Sequence, residues 1–462
     1  MKKTSIAFLL LVTVMVVLIS CPGPKKELAA LPGWQVPVEV TDTPHPSQPD
    51  YYLLGWQSFI ALNWPANHSY RGMPDTSKPI GATDAKGNLL NVVWETWKEQ
   101  YDIFLPYGKN PGSWDSNYAT SAEQAKVLRM FAKNDTSKVL DAFNEATGQP
   151  VIDQDGQFVR YEVRANQSEY TYYLNNSYYN ADSQIVAVSQ HRFHGFPKGN
   201  DPLSASMPFW AQYGATEVKA SWRVFKPGTP DSVKNRYYNK HAILIDQYGK
   251  RSDTVQVGLV GLHILRLTPS TGSTWYWASF EQVDNLTLQP KYGGTLPAHP
   301  TFNTWPAKHY GDSGYSYTPA PVQYGKPLPP AIPVGISSPP FLGSNASLDS
   351  INGVYNNMLK GTPFQYYQLI GTINPPVEGQ PSYTDNGANV PPVKLNAPQM
   401  ANSTLETYIV KSNCVTCHIY GFPQLPNDSF QTASLQVFTF LPSMAKSSGN
   451  IPLRRIKISK LK

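Results

Sequence analysis

Only three cysteines serve this chain of 462 residues, and two of them fall in the single stretch CVTCH, as Cys414, Cys417 and His418. The third, Cys21, stands directly behind an apolar leader, so the folded part owns one closely spaced pair and no disulfide framework. A chain of this length must then be held by a hydrophobic core. The composition allows one, with 41% hydrophobic and 12% aromatic residues against 15% charged. The net charge of +6 is mild for the length and is read as a solvated surface. Neither a nucleic-acid motif nor a basic stripe interleaved with aromatics is present, and the tail RRIKISKLK is read as a soluble end.

The N-terminus carries Lys2 and Lys3, an apolar run from Ile6 to Ile19, and Cys21 behind the small Ser20. The run is short for a spanning helix and meets PGPKKE, so it is read as a secretory signal. Leu18, Ile19, Ser20 and Cys21 resemble the lipobox of bacterial lipoproteins, in which the cysteine is acylated; the alternative is an ordinary signal peptide. Both readings place the mature chain outside the cytoplasm, and the first attaches it to a membrane through an N-terminal lipid at the periplasmic or outer surface.

Residues 21–50 are rich in proline and suit a tether. Near-helical spacing of Leu53, Leu54, Trp56, Phe59, Ile60 and Leu62 predicts a helix that Pro65 ends. VVWETWKEQYDIF, SAEQAKVLRMFAK and VLDAFNEATG are further helix candidates, so the N-terminal third is expected to be helical. The period then changes. EVKASWRVF alternates as a half-buried strand, VQVGLVGLHILRL reads as a central strand, and TPSTGST joins it to WYWASFEQV as a hairpin. Prolines recur through 291–340 and forbid regular elements there, yet Phe302, Trp305 and several tyrosines predict an ordered wrap across the sheet. The expected class is α+β: a helical N-terminal third, an antiparallel β-rich middle, a Pro-rich wrap and a short α-helical C-terminal heme-binding segment. The boundaries are 1–20 for the signal, 21–50 for anchor and tether, 51–400 for the body, and 401–462 for the heme segment packed on it.

CxxCH reads as a site of covalent c-type heme attachment. Positions three and four apart share a helix face, so Cys414, Cys417 and His418 can converge on one porphyrin, two through its vinyl groups and one on its iron. NSTLETYIVKSN would supply the helix, with Asn402 or Ser403 as N-cap, Glu406 in the first turn, and Leu405, Tyr408 and Ile409 as its apolar stripe. A thiol–disulfide pair would follow a strand, and a zinc site would need further ligands; neither context is present in the sequence. For the second axial position the candidates are Met444, Met400, His263, His299 and His309, or an open position. His263 is expected to be buried on the strand face it shares with Val257, Leu259 and Leu265. Glu281 and Asp284 are read as turn and cap residues, not as an acid and base.

GWQSFIALNWP, EVKASWRVF, GLHILRLTPSTGSTWYWASFEQVDN, YYQLIGT and TLETYIVKSNCVTCH together resemble bacterial exported cytochrome c family proteins with a large N-terminal body and one C-terminal heme site. The resemblance implies one covalent heme c at Cys414 and Cys417 with His418 as axial ligand. It also implies electron transfer with a redox partner protein, and no defined substrate. The tail after His418 is short for a small cytochrome c, so the body must complete the pocket. A heme enzyme with an open sixth position, peroxidase-like or oxygen-handling, in which Trp275 and Trp277 line a substrate pocket, is the alternative. A surface module with structural heme is a third reading.

Overall fold

The computed structural model describes residues 33–40, 46–116, 118, 126–128, 148–193, 195–199, 213–271, 275–286, 300–303, 314–336, 345–374, 400–409, 414, 418, 421–425 and 437–449. The chain mixes α and β structure: among the described residues, eight strands form one sheet and six α-helices surround or connect them.

The centre of the sheet is a long strand, β6 (Arg251–Arg266), between β4 (Thr216–Val224) on one edge and two strands on the other. β5 (Asn239–Ile245) pairs with the first half of β6 and β7 (Tyr276–Gln282) with the second, all antiparallel. β3 (Arg160–Ala165) and β1 (Lys98–Glu99) extend the sheet beyond β4, β8 (Tyr367–Ile373) lies beyond β7, and β2 (Lys126–Leu128) pairs parallel to β5. Branched residues let β6 sit between two neighbours, and the short polar connection to β7 gives the expected hairpin.

One face of the sheet carries the apolar core. Helix α1 (Gln48–Leu62) begins where Asp50 accepts hydrogen bonds from the Ser47 N–H and hydroxyl, each at 2.7 Å, and stops at Asn63 just before Pro65. Its Phe59 stacks on Phe280 of β7 at 4.3 Å between ring centroids, and Trp56 meets the same ring edge-on at 5.1 Å. Gly55 brings the helix down on the strand, since a Cβ there would lie 2.9 Å from Tyr276 Oη. Helix α6 (Ala346–Met358) closes this layer, with Tyr355 stacked on Trp56 and Asn352 Oδ1 accepting from Trp56 Nε1 at 2.9 Å.

The described part of the first third is less helical than its sequence suggests. VVWETWKEQYDIF divides into a 3-10 turn (Val93–Thr96), strand β1 and the short helix α2 (Gln100–Ile103), because Trp94 and Trp97 turn into separate buried sites. Within SAEQAKVLRMFAK the described residues are β2, and of VLDAFNEATG all but Gly148 lies outside the described residues. In the stretch read as a tether, Glu39 accepts from Ser270 N–H at 2.8 Å and the Pro37 carbonyl accepts from Arg266.

The second face of the sheet is polar in its middle and is covered by the C-terminal part of the chain. β4 is therefore buried on both sides, not half-buried: Val218 and Ala220 lie on one face, Glu217 and Ser221 on the other. Residues 400–409 run across β4, β6 and β7. Asn402 Nδ2 donates to Ser279 Oγ and the Phe280 carbonyl, Thr404 Oγ1 meets Ser221 Oγ at 2.7 Å, and the Thr404 carbonyl accepts from Tyr161 Oη at 2.8 Å. These bonds hold 402–409 as successive turns where a helix was expected. The polar side chains that would have capped a helix are spent on the sheet and on their own backbone, as in the bonds from Thr404 to Asn402 Oδ1. The described proline-rich residues 300–303 and 314–336 bury Phe302, Val322, Val334 and Ile336 in one cluster with Tyr161, Val260 and Leu405. Helices α3 (Gln167–Asn175) and α4 (Ala181–Ser189) stand between β3 and β4 in sequence, and the short α5 (Asp231–Lys234) between β4 and β5. From α4, Gln184 donates to the Pro442 carbonyl at 3.0 Å and accepts from Gln424 N–H at 2.7 Å, tying the C-terminal stretch down.

Candidate functional site

Cys414 and His418 both have helical backbone, and the residues between them lie outside the described residues. Cys414 is buried. Cys417, Cys21, His299 and His309 lie outside the described residues.

His418 is set in an aromatic and backbone frame. Its ring meets Trp277 of β7 edge-on at 5.8 Å and Phe440 at 5.1 Å. Nδ1 lies 2.9 Å from the Phe438 carbonyl, which can only accept, so Nδ1 carries the proton and Nε2 of the neutral ring has the lone pair. Burial, aided by the charge of Lys219, pushes His418 down to about 4 and keeps it neutral at physiological pH. A histidine metal ligand needs this state: neutral, oriented through its other nitrogen, with one lone pair left.

The strip 437–439 that orients the ring is held at each residue. Val437 accepts from Trp275 Nε1 at 2.9 Å and donates to the Gly421 carbonyl at 2.9 Å. Phe438 is in the left-handed region at φ 55°, a conformation that a bulky side chain adopts only under constraint. Gly421 lies so close beneath Thr439 that a Cβ would come within 2.5 Å of its carbonyl oxygen. Sequence reasoning singles out His418 but not this strip, because its residues share no motif and meet His418 only through tertiary contact.

Of the candidates for a second ligand, His263 is on β6 in the row Lys219, His263, Ser279 and Gly371 that crosses four strands. Its sequence-based face assignment needs correction. A bulge at Val260 puts Gly261 opposite Ser221 but Leu259 opposite Trp222, so His263 shares its face with Gly261 and Leu265, while Val257 and Leu259 turn the other way. His263 is buried, as expected, and its Nε2 stands 3.4 Å from Glu406 Oε2 without hydrogen-bond geometry. The charges of Lys219 and Glu406 act on His418 in opposite directions, the first lowering and the second raising it. Met400 is buried over β8, where a Cβ on Gly371 would lie 3.0 Å from its Sδ, and Met444 ends the partly exposed 3-10 turn Leu441–Met444. Glu281 accepts from Ser403 N–H and is pushed up by burial to about 7, while Asp284 pairs with Arg236; both are placed in structural bonds.

Trp277 Nε1, beside His418, is sealed from solvent with no acceptor, and a bound group carrying carboxylates would satisfy it. Among the described residues, no group of three or more His, Cys, Asp and Glu side chains is arranged to hold a bare metal ion. No protein-family model matches the chain, and neither a curated protein nor a solved structure matches it significantly.

Proposed function

We propose that the protein is an exported, lipid-anchored monoheme cytochrome c that carries electrons. Cys414 and Cys417 would hold the porphyrin through thioether bonds, and His418 would bind the iron through Nε2. The supporting observation is the neutral His418, oriented by the Phe438 carbonyl through Nδ1. Bound there, heme would supply one-electron iron chemistry. The chain's own part is to orient His418 through the Phe438 carbonyl, to exclude water with Trp277 and Phe440, and to tune the site by burial. His263 would be the second residue to hold the iron, favoured by its burial on the sheet face that also bears Trp277, the ring in contact with His418. A partner redox protein and attachment to the membrane through Cys21 complete the proposal. In protein made in a host competent for cytochrome c maturation, a denaturing gel should retain heme on the chain, and the ferric spectrum should be low-spin. His263→Ala should convert it to high-spin without loss of covalent heme. An unchanged spectrum would move the second ligand elsewhere, and a heme-free band would overturn the function.

A further inference from the structure

Glu169 on α3 and Glu217 on β4 meet in the interior beside the strip that orients His418. Their exposures are 0% and 4%. Tyr173 Oη donates to Glu169 Oε1 at 3.1 Å, and Glu217 hydrogen-bonds to both Thr439 and Glu169. Thr439 Oγ1 accepts from Leu441 N–H at 3.2 Å, so its hydroxyl proton is directed to Glu217. Glu169 Oε2 and Glu217 Oε1 are sealed from solvent with no protein donor, and among the described residues no cation is paired with either carboxylate. Two such groups cannot both ionise, so the pair holds at least one proton. Burial pushes Glu217 up to about 7, and burial together with the charge of Glu217 raises Glu169 well above the ordinary range. The other ionisable groups turned toward this region are Tyr173 on α3, Lys219 two residues along β4, His263 on β6 and His418 behind Phe438. The two residues Phe438 and Thr439 thus join the sites: the carbonyl of one holds His418 and the hydroxyl of the next holds Glu217.

We propose that Glu169 and Glu217 form a redox-linked proton site. With heme held at His418, one-electron reduction by a partner protein would be matched by uptake of one proton from solvent at the pair, which goes from one bound proton to two, and reoxidation would release it. An electron added near a buried carboxyl raises its proton affinity, and by linkage the bound proton favours the reduced state by the same factor. This rests on the heme reading above.

The test is a potentiometric titration of the heme-loaded protein from about pH 5 to about pH 9, spanning the carboxyl and histidine ranges. At fixed potential the ratio of reduced to oxidised protein should fall with rising pH, by up to about tenfold per unit. Glu217→Gln should flatten that dependence, and Glu169→Gln should do the same if the first variant does not fold. The reduced-minus-oxidised infrared spectrum should contain a carboxylic-acid C=O band that the Gln variant loses. A merely structural pair would lower stability in the variants and leave the slope and the infrared difference unchanged. A flat wild-type profile, or a slope that neither substitution alters, overturns the inference while leaving the electron carrier standing. Absence of covalent heme, read from the optical spectrum beforehand, overturns both.

Discussion

The chemistry of the site is decided by a few backbone atoms around one imidazole. The Phe438 carbonyl fixes the His418 tautomer, and Gly421 lets the strip bearing that carbonyl approach. Gly421→Ala must push the Thr439 backbone away, at a cost of about 1–3 kcal/mol, and with heme held as proposed it should shift the heme spectrum as His418 turns. Denaturant titration and an absorption spectrum would check both. Glu281 offers a pH test. Its folded value, about 7, is above the ordinary 4.5, so its contribution is fully present below pH 4.5 and is lost as pH rises through 7. The loss is on the order of 3 kcal/mol, and Glu281→Gln should reduce the decline in stability over that window. An equal decline in wild type and variant would show that Glu281 ionises freely in the fold.

Elements came through the sequence unevenly, for reasons that lie in packing. The apolar spacing of α1 and the branched run of β6 were legible because each is dominated by one buried surface. The bulge at Val260 was not, since it depends on pairing with β4, and it changes which residues accompany His263. The turns of 402–409 were misread as a helix because Asn402, Ser403 and Thr404 carry good capping chemistry that here serves the sheet. The core tie between α1 and β7 is strong: Phe59→Ala should cost about 3–5 kcal/mol, read as a lower denaturant midpoint with an unchanged slope. A cost near zero would mean that α1 is not part of the cooperative core.

At the scale of the molecule, one sheet separates two kinds of interior. The face under α1 and α6 is aromatic and supplies stability; the face under the C-terminal stretch carries Glu217, Lys219, His263 and Glu281 and supports the site. CVTCH stands out in the sequence because its spacing is local, whereas Trp277, Phe438 and the Glu169–Glu217 pair converge only through the fold. Between the two faces, Trp275→Phe would test how far the sheet supports the site: loss of the bond to Val437 should cost about 1 kcal/mol and loosen the His418 frame. A direct measurement of the central claim is the mass of the peptide containing CVTCH, from protein made in a host competent for cytochrome c maturation. The account predicts that peptide carrying one heme on both Cys414 and Cys417; the same peptide with both thiols bare would contradict it.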